Sequence, residues 1–271
     1  MCRVLQVSAS GYYASSERDM STRARANEAL LKEIQRVYVE SRKRYGSPRI
    51  YRKLRQEGIA CGRHRVARLM REHGIQSSRV KQFKCAKKSK ERRQTVASNV
   101  LDRQFRVSCP NRVWASDITY FWTGSGWLHL AVVMDLFSRR IIGWAMGNRM
   151  IDELSILSLN MALGRRDPAG PLLHHSDQGV QYTSDRFQLL LQENQMCCSM
   201  SRKGECYDNA VIESFFKSLK AEIPWHRQFK SREEARKELF EYIEVFYNRT
   251  RLHSTLGYQS PVDYERSFNQ T

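Results

Sequence analysis

The stretch VWASDITYFW, residues 113–122, decides the fold. Valine, isoleucine, threonine and three kinds of aromatic ring crowd it, as they crowd β-strands. Yet Asp117 sits in its middle, where an acid is disfavoured. The run ends at TGSG (123–126), a hairpin turn, and WLHLAVVMDLF (127–137) follows, nearly continuous in apolar residues as a central strand is. RRIIGWAMGN (139–148) makes a third strand. Farther out, DELSILSLNMALGRR predicts a helix over 152–166 and LLHHSD (172–177) a short strand. SDRFQLLLQENQM predicts a helix over 184–196 and CCSMS (197–201) another short strand. CYDNAVIESFFKSLKAEI (206–223) closes the series as a helix, with Val211, Ile212, Phe215, Phe216 and Leu219 at helical spacing. The order β-β-β-α-β-α-β-α is an α/β arrangement: a mixed sheet with helices on its faces.

Three acids stand out in that frame. Asp117 lies inside the first strand. Asp177 ends the fourth and is followed by Gly179, which lets the backbone turn close to a ligand. Glu213 sits among the apolar residues of the last helix. Singly, each has an ordinary reading: a solvent-facing strand residue, an Asx-turn acid, and a surface partner for Lys217 or Lys220. Together, three carboxylates at one edge of a sheet repel one another unless they hold divalent cations. Mg²⁺ takes hard oxygen ligands, and two such ions ~3.5–4 Å apart serve phosphodiester chemistry. Asp135 is the rival acid, and it reads as a strand end.

Charge divides the chain. Residues 1–110 carry 27 Lys+Arg against 9 Asp+Glu, whereas residues 111–271 carry 19 of each. A basic arm for a polyanion joined to a neutral domain fits this asymmetry, and a merely solvated basic face is the alternative. Inside the basic half, residues 24–42 read as a helix. In YGSPRIYRKLRQEG, Ser47 suits an N-cap, Pro48 the first helical position and Gly58 the stop. RHRVARLMREHG then gives a second short helix. The pair resembles a helix-turn-helix, in which Arg63, Arg65, Arg68 and Arg71 would meet phosphates or base edges. Residues 79–93, RVKQFKCAKKSKERR, hold eight basic residues and one acid. They read as a linker whose cations, Lys87 and Lys88 among them, track a phosphate backbone. The seven cysteines are scattered with no C-x-x-C pair, which argues against a disulfide framework or a zinc site. No apolar run reaches membrane-spanning length, and the N-terminus lacks a signal-peptide apolar region, so a cytoplasmic protein is expected.

Between Asp117 and Asp177 lie 59 residues, between Asp177 and Glu213 lie 35, and Lys220 follows Glu213 by seven. This pattern resembles the catalytic signature shared by retroviral integrases and insertion-sequence transposases. NRVWASDITYF, VMDLFSRRIIGW, HHSDQGVQYTSDRF, GECYDNAVIESFFKSLKAE and FYNRTRLHSTLGYQSPVDY are similar to the second reading frame of insertion-sequence-three-type transposases. YGSPRIYRKLR with RVARLMREHGI resembles the helical module that precedes their core. The likeness covers nearly the whole chain.

The resemblance implies an RNase H-like core, with Asp117, Asp177 and Glu213 as catalytic residues holding two Mg²⁺ or Mn²⁺ ions. It implies metal-dependent cleavage at the ends of an insertion sequence and transfer of the freed 3′-hydroxyl to a target phosphodiester. An end-to-end joined circle is a frequent first product in such a group. Lys220 would contact DNA near the cleaved end, and His175 is expected to be structural. The implied division is a helix-turn-helix-like region at 1–78, a basic linker at 79–108 and a catalytic core at 109–230. A C-terminal helix with a polar, proline-stopped tail (231–271) would pack on that core. Assembly of at least a dimer on DNA is implied, as is nucleoid association in a bacterial host. The group commonly works as a fusion with an upstream frame, so this chain is expected to be the separate second-frame product or a partial unit. A nuclease of the same fold that does not join, and a catalytically silent DNA-binding regulator, are the competing readings.

Overall fold

The computed structural model describes residues 2, 4, 6, 8–16, 19–77, 97–168, 170–223 and 229–270. The chain divides into two compact units, residues 1–78 and 79–271.

The first unit is helical: α1 (Ala9–Ser16), α2 (Thr22–Glu40), α3 (Ser47–Gln56) and α4 (Arg63–Glu72). Its core takes one apolar stripe from each of three helices, with Leu30, Ile34 and Val37 from α2, Ile50 and Leu54 from α3, and Val66, Leu69 and Met70 from α4. Ser21 caps α2, its Oγ accepting the Ala24 N–H at 3.1 Å. The expected cap of α3 moves by one residue: Gly46 is the N-cap, with no side-chain cap bond, and Ser47 is already helical. α3 and α4 both close on a glycine in the left-handed region, Gly58 at φ +81° and Gly74 at φ +65°, a conformation open to glycine at little cost.

The second unit is built on a five-stranded sheet of order β3-β2-β1-β4-β5. β1 (Val113–Thr123), β2 (Gly126–Asp135) and β3 (Ile141–Gly147) form an antiparallel meander. β4 (Leu172–Ser176) and β5 (Met196–Met200) add in parallel beside β1. One face packs Trp114, Val133 and Leu172 against Leu159 and Ala162 of α5 (Asp152–Arg166) and Phe187 and Leu191 of α6 (Asp185–Glu193). Strand residues of the other parity, Phe121, Leu128, Leu130 and Val132, are buried too. α7 (Ala210–Glu222) and α8 (Arg232–Phe240) lie against β1, and α8 also reaches β2. This is an RNase H-like mixed sheet.

Three local expectations shift. α6 stops at Glu193 because Gln195 turns at φ +54° and Met196 joins the ladder with Leu172. The residues before Ala210 form a 3₁₀ turn, Cys206–Asn209, and not the first turn of α7. The tail is not proline-stopped either. α8 runs on into a π-helical stretch, Glu241–Tyr247, and Pro261 opens a further helix, α9 (Pro261–Asn269), behind a Ser260 cap. Proline breaks a helix interior but suits its first turn, so position decides its meaning. α9 is clamped through Glu265, a buried acid that accepts from Ser138 Oγ and Arg140 Nη1, each at 2.6 Å, and from Arg166.

Candidate active site

The parallel ladder between β1 and β4 pairs Val113 with Leu173, Trp114 with His174 and Ala115 with His175. The offset is constant, so two steps farther on Asp117 comes level with Asp177. Residues level with each other on adjacent parallel strands project to the same face, about 4.8 Å apart along the backbone. The spacing of the two acids is therefore the register of the sheet. Asp177 stands one residue past the end of β4, where Gly179 bends the chain and donates its N–H to Asp177 Oδ1 at 2.9 Å. A side chain at Gly179 would meet that Oδ1 at 2.8 Å. Asp117 Oδ1 accepts the Ile118 N–H at 2.8 Å. Both acids are half-buried.

Glu213 arrives by a different element. At the foot of α7, Asn209 Nδ2 donates to the Ser116 carbonyl at 3.3 Å, and farther up Lys220 Nζ lies 5.2 Å from the Tyr120 ring centroid. From Asn209 to Lys220 the helix rises about 16 Å, and from Ser116 to Tyr120 the strand advances about 13 Å. α7 thus runs beside β1 in the same sense. Glu213, about 6 Å up the helix, comes alongside Ile118, next to Asp117. It is half-buried, with Lys217 Nζ at 3.9 Å.

What surrounds the acids is consistent with oxygen ligation. The Tyr182 hydroxyl is buried with no hydrogen-bond partner among the described residues. Burial pushes its pKa well up, and the negative charges of Asp117 and Asp177 add to that, so one phenol feels both carboxylates. The donor set is all carboxylate, the kind that Mg²⁺ and Mn²⁺ take. As the side chains stand, no three of the described Asp, Glu, His and Cys residues come close enough together to hold an ion. Continued past its last pair, the register carries Asp117 to the level of Asp177, and the rise of α7 carries Glu213 alongside.

Neighbouring polar groups have other tasks. His175 is buried between Ser199 Oγ at 2.9 Å and Ser201 Oγ at 3.1 Å, and burial lowers its pKa. His174 is buried on the opposite face with Ser116 Oγ at 2.8 Å, its pKa lowered by burial to about 3. Asp135 accepts the backbone N–H groups of Asn111 and Phe137, both at 2.9 Å, and so holds a chain turn.

Asp208 escaped the reading of the sequence. An acid just before an amphipathic helix looks like a cap. Instead it is fully buried and accepts from Arg202 Nε at 3.0 Å, Arg103 Nε at 2.7 Å and Asn99 Nδ2 at 2.9 Å. Arg202 above all holds its carboxyl well below the usual range. The bonds tie residues 99–103 to the turn that launches α7, and so help fix where Glu213 starts. Arg251, ahead of α9, is buried against Glu222 at 2.7 Å.

In the first unit, Arg63 and Arg71 are exposed on α4, while Arg65 and Arg68 are half-buried. Arg65 Nε donates to Asn27 Oδ1 at 2.8 Å, and Arg68 pairs with Glu72 at 3.0 Å. Arg65, Arg68 and His64 line a groove of about 490 Å³ with Thr22, Arg23 and Ala26. Lys87 and Lys88 lie outside the described residues. No helix among the described residues is long and apolar enough to cross a membrane.

Residues 107–206 match the integrase core domain family, residues 213–268 a second integrase core domain family, and residues 25–83 an HTH-like domain family. The 31 kDa protein of insertion element IS600 of Shigella sonnei is 40% identical over 100% of this chain and 99% of its own length. The InsF transposase of insertion sequence IS3A of Escherichia coli is 41% identical over 98% of this chain and 92% of its own length. A simian T-cell lymphotropic virus intasome has a chain that aligns with TM-score 0.49 and 14% identity, covering 86% of this chain and 74% of that one. The integrase core family is metal-dependent, and its members are polynucleotidyl transferases that cleave and transfer DNA strands. On the strength of these full-length relatives, the chain belongs to the insertion-sequence transposases of the IS3 type.

Proposed function

We propose that Asp117, Asp177 and Glu213 are the catalytic residues of this transposase and that they hold two Mg²⁺ or Mn²⁺ ions. The observation that supports the reading is the β1–β4 register, Ala115 opposite His175, whose continuation by two residues would bring Asp117 level with Asp177. Ions bound there would activate the attacking oxygen and stabilise the leaving one in each phosphodiester exchange. The chain's own part is placement. Asp117 is held by a central strand, Asp177 by the turn at Gly179, and Glu213 by a helix anchored at Asn209 and Asp208. Lys220 would neutralise a backbone phosphate near the cleaved end.

The basic first unit would grip the element ends, with Arg63 and Arg71 reaching DNA directly and Arg65 and Arg68 edging the groove beside them. Lys87 and Lys88, in the linker over 79–108, would follow phosphates. The catalytic core would span 109–230, with 231–271 packed on it. We infer assembly of at least two copies on paired ends, cooperation with an upstream-frame product in cis or in trans, and action in the bacterial cytoplasm at the nucleoid.

The test is a Mg²⁺- or Mn²⁺-dependent cleavage and joining assay on duplexes carrying the inverted repeats that flank the gene. Glu213→Gln keeps shape and removes charge. Wild type is expected to make joined products, and the variant to bind DNA and do nothing more. Cleavage by Glu213→Gln at the wild-type rate would remove Glu213 from the centre.

A further inference from the structure

Tyr120, Trp122 and Trp127 are 49%, 54% and 45% exposed. Trp122 faces Trp127 across the β1–β2 hairpin, and Tyr120 faces His129, so four rings share one face. They brace one another edge-on, with centroids 5.1 Å apart for Tyr120–Trp127 and 4.8 Å for Trp122–Trp127. Deeper on that face, Ile118 and Ala131 are covered by Leu154 of α5. A braced, uncovered aromatic cluster of this size marks a contact surface.

Cations rim it. Lys220 Nζ lies 5.2 Å from the Tyr120 ring centroid and 5.7 Å from that of Phe121. Those two rings project to opposite faces of β1, so the ammonium stands at the strand's edge. There the ladder with β4 ends at Ala115, and the next backbone bridge on that side among the described residues is Phe229 with Thr123. Arg232 Nε donates to the Trp127 carbonyl at 3.1 Å.

We propose that Tyr120, Trp122 and Trp127 form a stacking platform for unpaired bases of the DNA end, a role that rests on the assignment of the catalytic acids above. Asp117 has the opposite parity on β1, so a DNA strand passing from the acids to the rings must round the strand edge beside Lys220. A duplex, with its persistence length of about 50 nm, does not bend so tightly, whereas a frayed single strand does. Along β1 the rings of Tyr120 and Trp122 stand about 10 and 17 Å from Asp117. That corresponds to roughly three to five nucleotides at ~3.4 Å each. Ring–base stacking tolerates any sequence, and the basic rim suits a polyanion. A second copy of the chain on the same patch would bring like cations together in a two-fold contact.

The test uses the full-length protein and flanking-repeat duplexes with 5-iodouracil placed roughly two to six nucleotides from the scissile phosphate. Irradiation in Ca²⁺ reads binding without turnover. Crosslinks are expected on the 120–127 hairpin, and more of them when the end is mismatched beforehand. In Mg²⁺, Trp122→Ala with Trp127→Ala should slow cleavage of fully paired ends about tenfold and of pre-mismatched ends less than twofold, while Trp122→Phe with Trp127→Phe stays near wild type. Crosslinks that avoid the hairpin, or equal losses on both kinds of end, would overturn the platform. So would a change in the sedimentation of the DNA-free protein on the alanine substitutions, which would make the patch an interface between copies. If crosslinks map to the rings but wild type cleaves nothing, the platform stands and the catalytic assignment fails.

Discussion

Arg251→Ala should destabilise the second unit severely, and replacing the whole cluster around Arg251 should not. Arg251 and Glu222 have side chains only 4% and 8% exposed. Arg251 Nη2 and Nε donate to the Glu222 carboxylate at 2.7 and 2.8 Å, and the Tyr242 hydroxyl donates to it at 2.9 Å. Cutting the guanidinium away leaves a buried carboxylate without its cation. Breaking such a pair costs about 3–5 kcal/mol, against a total stability of roughly 5–15 kcal/mol. For a unit of this size that is a fall in Tm of roughly 6–20 °C. The triple variant Glu222→Leu, Arg251→Met, Tyr242→Phe removes the carboxylate, the guanidinium and the phenol hydroxyl at once. It should melt within a few degrees of wild type, or above it by the equivalent of up to about 4 kcal/mol. Calorimetry on the full-length chain measures both. A single variant that melts like wild type, or a triple variant that falls as far as the single, would refute the reasoning. Because Glu222 ends the helix that carries Glu213, the single variant should also lose strand transfer before it loses all structure.

Acid should weaken the fold through His174. Its folded pKa of about 3 lies below the ordinary 6.5, so between those values only the unfolded chain takes the proton. Stability then falls as pH drops below 6.5, by up to about 1.4 kcal/mol per unit from this group, and His174→Phe should flatten the urea midpoint over that window. Gly143→Ala would place a Cβ 2.1 Å from the Ser158 carbonyl oxygen and 2.8 Å from the Ala162 nitrogen. It should push α5 off β3 and cost about 1–3 kcal/mol in a thermal melt, whereas Gly164→Ala, with nothing within 4 Å of its Cβ, should not destabilise. Arg63→Ala and Arg71→Ala should each shorten the slope of log K against log salt by about one, measured by fluorescence anisotropy on flanking-repeat DNA. Unchanged slopes would take α4 off the DNA.

Much of the fold was legible in the residues themselves. Strand-forming runs with a tight TGSG turn can only pair as a meander, because two-residue connections force neighbours to be antiparallel. The helices of both units buried the apolar positions that their periodicity marks, since a 3.6-residue repeat leaves one stripe to bury. The acids were visible as anomalies, an Asp in a strand and a Glu beside a buried stripe, and their spacing could be counted. The family resemblance, not the count, supplied their meaning at that stage.

Tertiary structure decided the rest, because contact across long separations leaves no local trace. The sixty-residue step from Asp117 to Asp177 becomes nearness only when β4 pairs in parallel with β1 at that offset. Asp208, Glu222 and Glu265 each look like surface acids in the chain. Each is buried against an arginine from a distant segment: Arg103 for Asp208, which the nearby Arg202 joins, Arg251 for Glu222, and Arg140 and Arg166 for Glu265. Pro261 read as an ending and is a beginning, since only the Ser260 turn before it tells the two apart. The sequence by itself determined which segments are strands, which faces are apolar and which carboxylates are out of place. Packing alone determined which charges meet, because a charge's partner is chosen by the fold that buries it.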